Sequence, residues 1–350
     1  MNPQKIAVIP GDGIGGEVTA SARAVLDAVA ARHEIDLRYT EFDWSCERYV
    51  EVGSMMPDDG LETLGRFDAI LLGAVGWPGV PDHVSLWGLL IPIRRAFRQY
   101  VNLRPIRLFP GVTGPLRSNA DIDFVVVREN VEGEYSEIGG RMNRGLPEEL
   151  AVQESVFTRA GVSRIADYAF ELARTRRNYV TSATKSNGIV HTLPFWDEIV
   201  AERAADHPQV QWDSEHIDAL AAKFVLQPQR FDVVVGSNLF GDILSDLAAA
   251  VAGSIGIAPS ANLDPTKKHP SMFEPVHGSA PDIAGRGIAN PVGAVWSAAL
   301  MLSHLGHTAA ADDVIAAMEA TLADPSTRTA DLGGTASTEQ VTAALVAELS

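Results

Sequence analysis

The chain has 350 residues, 46% of them apolar and 21% charged, with 28 Lys+Arg against 45 Asp+Glu and a formal charge of −17. That size and composition predict a globular protein with one large domain or two ordinary ones. The charge opposes a broad electrostatic hold on nucleic acid or an anionic membrane, and the single cysteine, Cys46, excludes an internal disulfide and argues against a cysteine-based metal site.

From the N-terminus, MNPQKIAVIP lacks the apolar core of a signal peptide, and no apolar run is long enough to span a bilayer, so a cytoplasmic protein with no membrane partner is expected. Ile6–Ile9 reads as a strand and Gly16–Arg32 as a helix, with GDGIGG at 11–16 between them. The spelling is that of the dinucleotide-binding fingerprint, G-x-G-x-x-G. A fold that uses it also needs an acid at the end of the second strand. Along the strand Leu37–Phe42, Asp36 stands at the start and Asp43 lies beyond the end, and Pro10 stiffens the approach to the turn. Two readings stay open at this point: a pyrophosphate cradle, or a glycine turn that needs positive φ or close packing.

Ala69–Leu72 is the next strand, and Arg94, Arg95 and Arg98 follow it on a helix-like stretch. Pro92 either kinks that helix or marks its first turn. Arg104 and Arg107 come next, and Arg128 ends the strand Phe124–Val127. Arginine forks match carboxylates, so Arg94, Arg104 and Arg128 are candidates for an anionic pocket. A surface salt-bridge network accounts for Arg95, Arg98 and Arg107. Residues Glu134–Leu150 are polar and glycine-containing, an excursion that is either a mobile loop or an arm pairing with another subunit.

A helix at Val162–Arg174, a strand at Tyr179–Ser182, a helix at Pro194–Arg203 and a strand at Val233–Gly236 follow. This alternation, with branched residues filling strands such as FDVVVG, predicts an α/β fold. Lys185 stands just after a strand, where a lone lysine is ordinarily a solvated charge. In SNLFGDILSDL, Asp242 and Asp246 lie on one face of a helix. They either hold a hard divalent cation, which would relieve their repulsion, or face water, or cap the helix. Residues 273–291, FEPVHGSAPDIAGRGIANP, are rich in proline and glycine and read as a fixed loop around His277, before a helix at Pro291–Gly306.

Taken in order, IPGDGIGGEV, LRP, VVRENVEGEYS, TKSNG, SNLFGDILSDL, FEPVHGSAPDIAG and GIANP resemble the isocitrate/isopropylmalate dehydrogenase family, the β-decarboxylating dehydrogenases, over nearly the whole chain. The resemblance implies an isopropylmalate-dehydrogenase-like, two-domain α/β/α fold that is not a Rossmann fold. It implies a cofactor-binding domain of residues 1–100 plus 251–350, and a substrate and dimerisation domain of residues 101–250 with an arm at about 134–150. It answers the question of the glycine loop against the literal fingerprint, since the family holds its cofactor chiefly through the loop matching His277, Gly278, Ser279 and Ala280, with Asp282 and Asn290 at the adenosine end.

The same resemblance implies substrate-carboxylate contacts for Arg94, Arg104 and Arg128, and metal binding by Asp218, Asp242 and Asp246. Tyr135 and Lys185 match the catalytic pair, and Asn187 matches a residue near the nicotinamide. A homodimer with shared active sites is implied, in which Lys185 and Asp218 come from the other subunit, and the substrate lies in the cleft between domains. The cofactor set is NAD, Mg²⁺ or Mn²⁺, and a K⁺ ion. Asp282 favours NAD, because a carboxylate accepts from both ribose hydroxyls and repels a 2′-phosphate.

The implied reaction is metal-dependent oxidation of a small 2-hydroxy diacid with loss of CO₂. The segment HVSLWG, with the double arginine and QYVNLRP, looks most similar to tartrate/D-malate dehydrogenases. D-malate going to pyruvate and CO₂, with or without tartrate oxidation, is the expected activity, and a bulky Trp87 suits a pocket with little space at C3. Leu89 and Pro92 depart from that pattern. A 3-isopropylmalate dehydrogenase is the alternative. A catalytically silent, NAD-responsive subunit is the outside alternative, and it would not need Lys185, Tyr135 and all three aspartates.

Overall fold

The computed structural model describes residues 3–116 and 121–350. Among the described residues there are twelve strands: β1 Gln4–Gly11, β2 Leu37–Glu41, β3 Ala69–Ala74, β4 Val101–Arg107, β5 Asp123–Glu129, β6 Gly139–Met142, β7 Leu150–Gln153, β8 Tyr179–Thr184, β9 Gln211–His216, β10 Val233–Gly236, β11 Pro259–Leu263 and β12 Ser271–Pro275. The chain divides into two compact units. One comprises Met1–Gln99, Arg107–Asn119 and Ala249–Ser350, and the other Tyr100–Ile106 and Ala120–Ala248.

In the first unit the strands run in the order β2-β1-β3-β12-β11. β1 is parallel to β2 and β3, and β12 is parallel to β3 but antiparallel to β11. β3 is buried along its whole length, as its unbroken AILLGA requires. Helices Gly15–Arg32, Val292–Leu305, Thr308–Ala323 and Thr338–Leu349 pack with one another around this sheet. The last begins with a full capping box, in which Ser337 and Gln340 satisfy each other's backbone N–H.

In the second unit the order is β4-β5-β10-β8-β9. β5, β10, β8 and β9 are mutually parallel, so their carboxyl ends lie along one edge, where open α/β sheets form their sites. Helix Arg159–Arg174 starts on a true N-cap, with the Thr158 hydroxyl accepting from the Gly161 N–H. Its apolar residues recur with helical period and bury Val162, Ile165, Ala166, Ala169, Phe170 and Ala173.

Most expected elements lie within a few residues of their sequence limits, with three differences. The excursion at 134–150, expected as a loop or an arm, has strand structure and extends past its expected end. It contains an antiparallel hairpin, β6 with β7, that runs on to Gln153 and is exposed throughout. The loop expected from 273 begins later, because Phe273, Glu274 and Pro275 complete β12. The stretch around Pro92 both bends and begins a helix: Asp82–Ser85 runs into a π-turn, Leu86–Leu90, and then into Ile91–Ala96 with proline in its first turn. Proline has no N–H for a regular i→i−4 bond, and the Ile91 N–H reaches back five residues to the Leu86 carbonyl. Among the described residues, no helix is long and apolar enough to cross a membrane.

Candidate active site

The glycine loop is a packing device. Gly11 and Gly13 have φ of +72° and +57°, and a β-carbon on either would overlap a carbonyl oxygen, that of Ala74 or of Ser279. Three of the loop's amides are already used. Asp12 N–H donates to Ala74 O (2.7 Å), Ile14 N–H to Ser279 O (2.9 Å) and Gly15 N–H to Asp12 O (3.0 Å). The Asp12 carboxylate accepts from the Cys46 and Gly76 amides, both at 2.9 Å. Asp36, the acid nearest the fingerprint's spacing, is paired with Arg38. The loop therefore fixes the neighbouring 277–280 segment.

That segment borders a cavity of about 320 Å³ within the first unit, lined by Ile14, Ile255, Ile283 and Ile288, with His277 and Asn290 at its polar side. His277 is buried and its ring is held by Nδ1 against the Gly278 carbonyl at 3.0 Å, while its Nε2 has no partner. Burial pushes its pKa down, so the ring is neutral and offers Nε2 to a ligand. Asn290 is anchored by Asp331 (3.0 Å) and by the Val292 N–H (3.0 Å). Ala280 has φ of +40°, an unusual conformation for a residue with a β-carbon. Asp282 is exposed on the same loop. An apolar cavity with one orphaned ring nitrogen fits the adenine end of a dinucleotide. Asn187, by contrast, is an exposed residue of the second unit.

Also in the first unit, Arg94 is buried and its guanidinium donates to Glu274 Oε1 at 2.8 Å, an oxygen that also accepts from Asn262 at 2.7 Å. A substrate carboxylate at Arg94 would have to share it with Glu274. Arg95 is not the simple surface charge expected. Its guanidinium lies 4.9 Å from the centre of the Trp87 ring. Residues eight apart are about 80° out of line on a regular α-helix, and the intervening π-turn is what aligns them. Arg107 is ion-paired with Glu319 at 2.5 Å, and Arg98 is exposed.

The second unit gathers most of the remaining candidates. Helix Asn238–Val251 leaves the carboxyl end of β10 and presents Asp242 and Asp246 one turn apart. Arg128, at the end of β5, donates to Asp242 Oδ1 and to Asn238 Oδ1 (3.0 and 2.7 Å). Arg104, from β4, lies 3.4 Å from Asp242 and 3.3 Å from Asp246, and donates to the Ser245 hydroxyl at 2.5 Å. The Tyr135 hydroxyl donates to Asp242 Oδ2 at 2.9 Å, and its ring centre is 5.5 Å from the Arg128 guanidinium. Partial burial pushes the Asp246 carboxyl above the usual carboxylate range. The Asp242 charge adds to this, and the Arg104 and Arg128 charges oppose it. Two mutually repelling hard oxygen donors on one helix face fit a divalent cation.

Lys185 and Asp218 stand just beyond the carboxyl ends of β8 and β9, which are neighbours, and form an ion pair at 2.8 Å. That hydrogen bond holds the exposed Asp218 carboxyl below its ordinary pKa. Asp218 therefore pairs with Lys185 within one chain and does not join Asp242 and Asp246. Among the described residues there is no group of three or more His, Cys, Asp or Glu placed to hold a metal.

Sequence reasoning missed the glutamates of RENVEGEY. Glu129 Oε1 accepts from the Val131 (2.7 Å) and Glu132 (3.0 Å) amides, and Glu132 accepts from the Thr158 amide and hydroxyl. Glu134 accepts from the Ser237 hydroxyl and the Leu239 amide. Asn238 was also missed, although a serine–asparagine pair opening a helix after a strand is a recognisable signal. No local spacing reveals Glu132 and Glu134, because their partners are remote in sequence.

A family model described as isocitrate/isopropylmalate dehydrogenase matches residues 5–346. A tartrate dehydrogenase/decarboxylase from Pseudomonas putida is 58% identical over 352 residues, covering 97% of this chain and 96% of the relative. A D-malate dehydrogenase (decarboxylating) from Escherichia coli K12 is 56% identical over 355 residues, covering 99% and 98%. Among solved structures, an isocitrate dehydrogenase from Methylococcus capsulatus superposes with a TM-score of 0.90 at 35% identity, covering 99% of both chains.

Proposed function

The chain belongs to the isocitrate/isopropylmalate dehydrogenase family, and from that premise we propose that it is an NAD-dependent decarboxylating dehydrogenase of small 2-hydroxy diacids. We assign D-malate, going to pyruvate and CO₂, as the first substrate and tartrate as a second. The observation that carries the reading is the cluster of Arg104, Arg128, Tyr135, Asp242 and Asp246 within the second unit. It combines two carboxylate-binding forks, an oriented phenol and two hard oxygen donors. The names of the most similar relatives support the choice of substrate.

The chain's own residues supply five tasks. Arg104 and Arg128 bind and orient the diacid carboxylates. A grip on the departing carboxylate as firm as on the other would oppose its loss. The Tyr135 hydroxyl, a donor to Asp242, holds the proton that goes to C3 after CO₂ leaves. Lys185 accepts the C2 hydroxyl proton, for which its nitrogen must give up the ion pair with Asp218. Asp242 and Asp246 would hold Mg²⁺ or Mn²⁺, which acidifies a bound hydroxyl and stabilises developing negative charge on oxygen. The 277–290 loop would hold the adenosine of NAD, which supplies the hydride acceptor.

Since Asp218 lies with Lys185 and not with the other two aspartates, we assign both to the site of a second copy, in a homodimer with shared active sites. A K⁺ ion completes the proposed cofactor set.

The test is NADH formation by the purified protein with Mn²⁺ and K⁺, offered D-malate, the tartrate isomers, 3-isopropylmalate and isocitrate side by side, with an EDTA control. A preference for D-malate that EDTA abolishes is expected. A preference for 3-isopropylmalate would keep the reaction and overturn the substrate. Silence with every diacid would overturn the reaction.

A further inference from the structure

Glu134 precedes Tyr135, and the two side chains grasp the same helix. Tyr135 reaches Asp242 Oδ2 at 2.9 Å, while Glu134 Oε1 accepts from the Ser237 hydroxyl at 2.7 Å and its Oε2 from the Leu239 N–H at 3.0 Å. Leu239 lies in the first turn of helix Asn238–Val251, where backbone N–H groups have no partner within the helix. The Glu134 carboxylate therefore caps that helix from another segment, at the end where the helix dipole favours negative charge. Asn238, between Ser237 and Leu239, donates to the Glu132 carbonyl at 3.0 Å, so the segment is tied to the same turn at a second point.

On the far side of Tyr135 the chain leaves for solvent. Hairpin β6–β7 is exposed along both strands, and it is joined to the 134–136 segment by Gln153 donating to the Ser136 and Glu134 carbonyls (2.8 and 3.3 Å) and by Ser136 donating to the Glu154 carbonyl at 2.5 Å. Tyr135 thus sits where a solvent-exposed lever meets a half-buried helix. Without a clamp at this junction, movement of the hairpin would pass directly to the phenol.

We propose that Glu134 is a positioning residue that clamps the backbone beside Tyr135 to the first turn of the 238–251 helix, and so holds the Tyr135 hydroxyl on Asp242. This rests on the proposed role of Tyr135 as proton donor, and the experiment separates the two.

The experiment is a double-mutant cycle of Glu134→Ala and Tyr135→Phe on D-malate, with kcat and KM measured for each variant. Glu134→Ala should lower kcat by up to about 100-fold, the scale reached when a reacting group is misplaced by an ångström. KM for diacid and NAD should stay within about threefold, and the added loss in the Tyr135→Phe background should be under about threefold, because the clamp acts through Tyr135. An equal loss in both backgrounds would overturn the proposal and make Glu134 merely structural, as would full activity of Glu134→Ala.

Glu134→Gln is the second variant, for the case in which the alanine variant does not fold. Its amide oxygen can still accept from Leu239, and the Ser237 hydroxyl can turn to accept from its NH₂, so it should retain most of the activity. A loss in Glu134→Gln as large as that expected of the alanine variant would count against the clamp.

A readout independent of turnover is the ¹⁹F resonance of 3-fluorotyrosine at position 135. It should shift or broaden in Glu134→Ala and not in Glu134→Gln, and an unchanged resonance in both would overturn the clamp. Full activity of Tyr135→Phe alone would overturn the proton-donor role and leave the ¹⁹F result to decide the clamp.

Discussion

Gly13 shows what a single residue does here. It admits the Ser279 carbonyl to the GDGIGG turn, so its role is read from a segment more than 260 positions away. The motif's spelling cannot distinguish a glycine that faces a phosphate from one that faces another backbone, because both need the same missing β-carbon. Trp87 is a similar case. The residue is legible as bulky, but the Arg95 guanidinium lying over its ring is not. We expect Trp87→Ala to raise kcat/KM for larger 3-alkylmalates relative to D-malate by about tenfold, the usual worth of a methylene-sized space in an apolar pocket. No gain with the fold intact would remove Trp87 from the specificity argument.

Glu129 carries a pH dependence at the same scale. Burial pushes its carboxyl from 4.5 up to about 7, against the opposing pull of Arg164 and of the Val131 and Glu132 amides, with Glu132's charge adding to the rise. Between those values the folded chain binds more protons at this site than the unfolded chain, so its contribution to stability is full below about 4.5 and is lost as pH rises through about 7. The slope is at most about 1.4 kcal/mol per pH unit. Melting temperatures from pH 4.5 to 7.5 should therefore fall less steeply in Glu129→Gln than in the parent chain. Parallel curves would place the titration elsewhere.

At the scale of elements, strands such as Val233–Gly236 and helices such as Gly15–Arg32 were legible because continuous branched runs and helical periodicity are local signals. The π-turn was not, since it arises from a proline inside a segment that also packs Gly88 against Met55 and buries Leu89. The 238–251 helix was legible as a face with two carboxylates, but its sequence is silent on which cations face it. Arg104 and Arg128 already pair with those carboxylates, so each aspartate balances arginine charge as well as offering oxygen to a metal. Asp246→Asn should weaken Mn²⁺ binding by at least about tenfold, since ligand charge tunes the affinity of such sites, and titration followed by electron paramagnetic resonance measures it directly. Unchanged affinity would show that Asp246 serves Arg104 and not a metal.

At the scale of the whole molecule, one chain does not bring Asp218 to Asp242 and Asp246, and it leaves Ile138, Met142, Leu146, Leu150 and Val152 exposed along the hairpin. Contiguous exposed apolar residues of this kind mark a contact surface. We expect the protein to sediment as a dimer, and paired Met142→Ser and Leu150→Ser substitutions to shift it towards monomer with loss of turnover. A monomeric parent with full activity would overturn the shared-site arrangement.

The sequence by itself determined the α/β class, the family and the identity of the candidate residues, because these depend on periodicity, composition and the order of motifs along the chain. Only the tertiary structure decided that the glycine loop packs a carbonyl, that Arg95 covers Trp87, that Glu134 caps the helix carrying Asp242, and that Asp218 lies with Lys185. Apart from Arg95 and Trp87, which meet across the π-turn, each of these is a contact between segments distant in sequence. Such contacts depend on which side chains the sheet order brings to one edge, and no local pattern encodes that order.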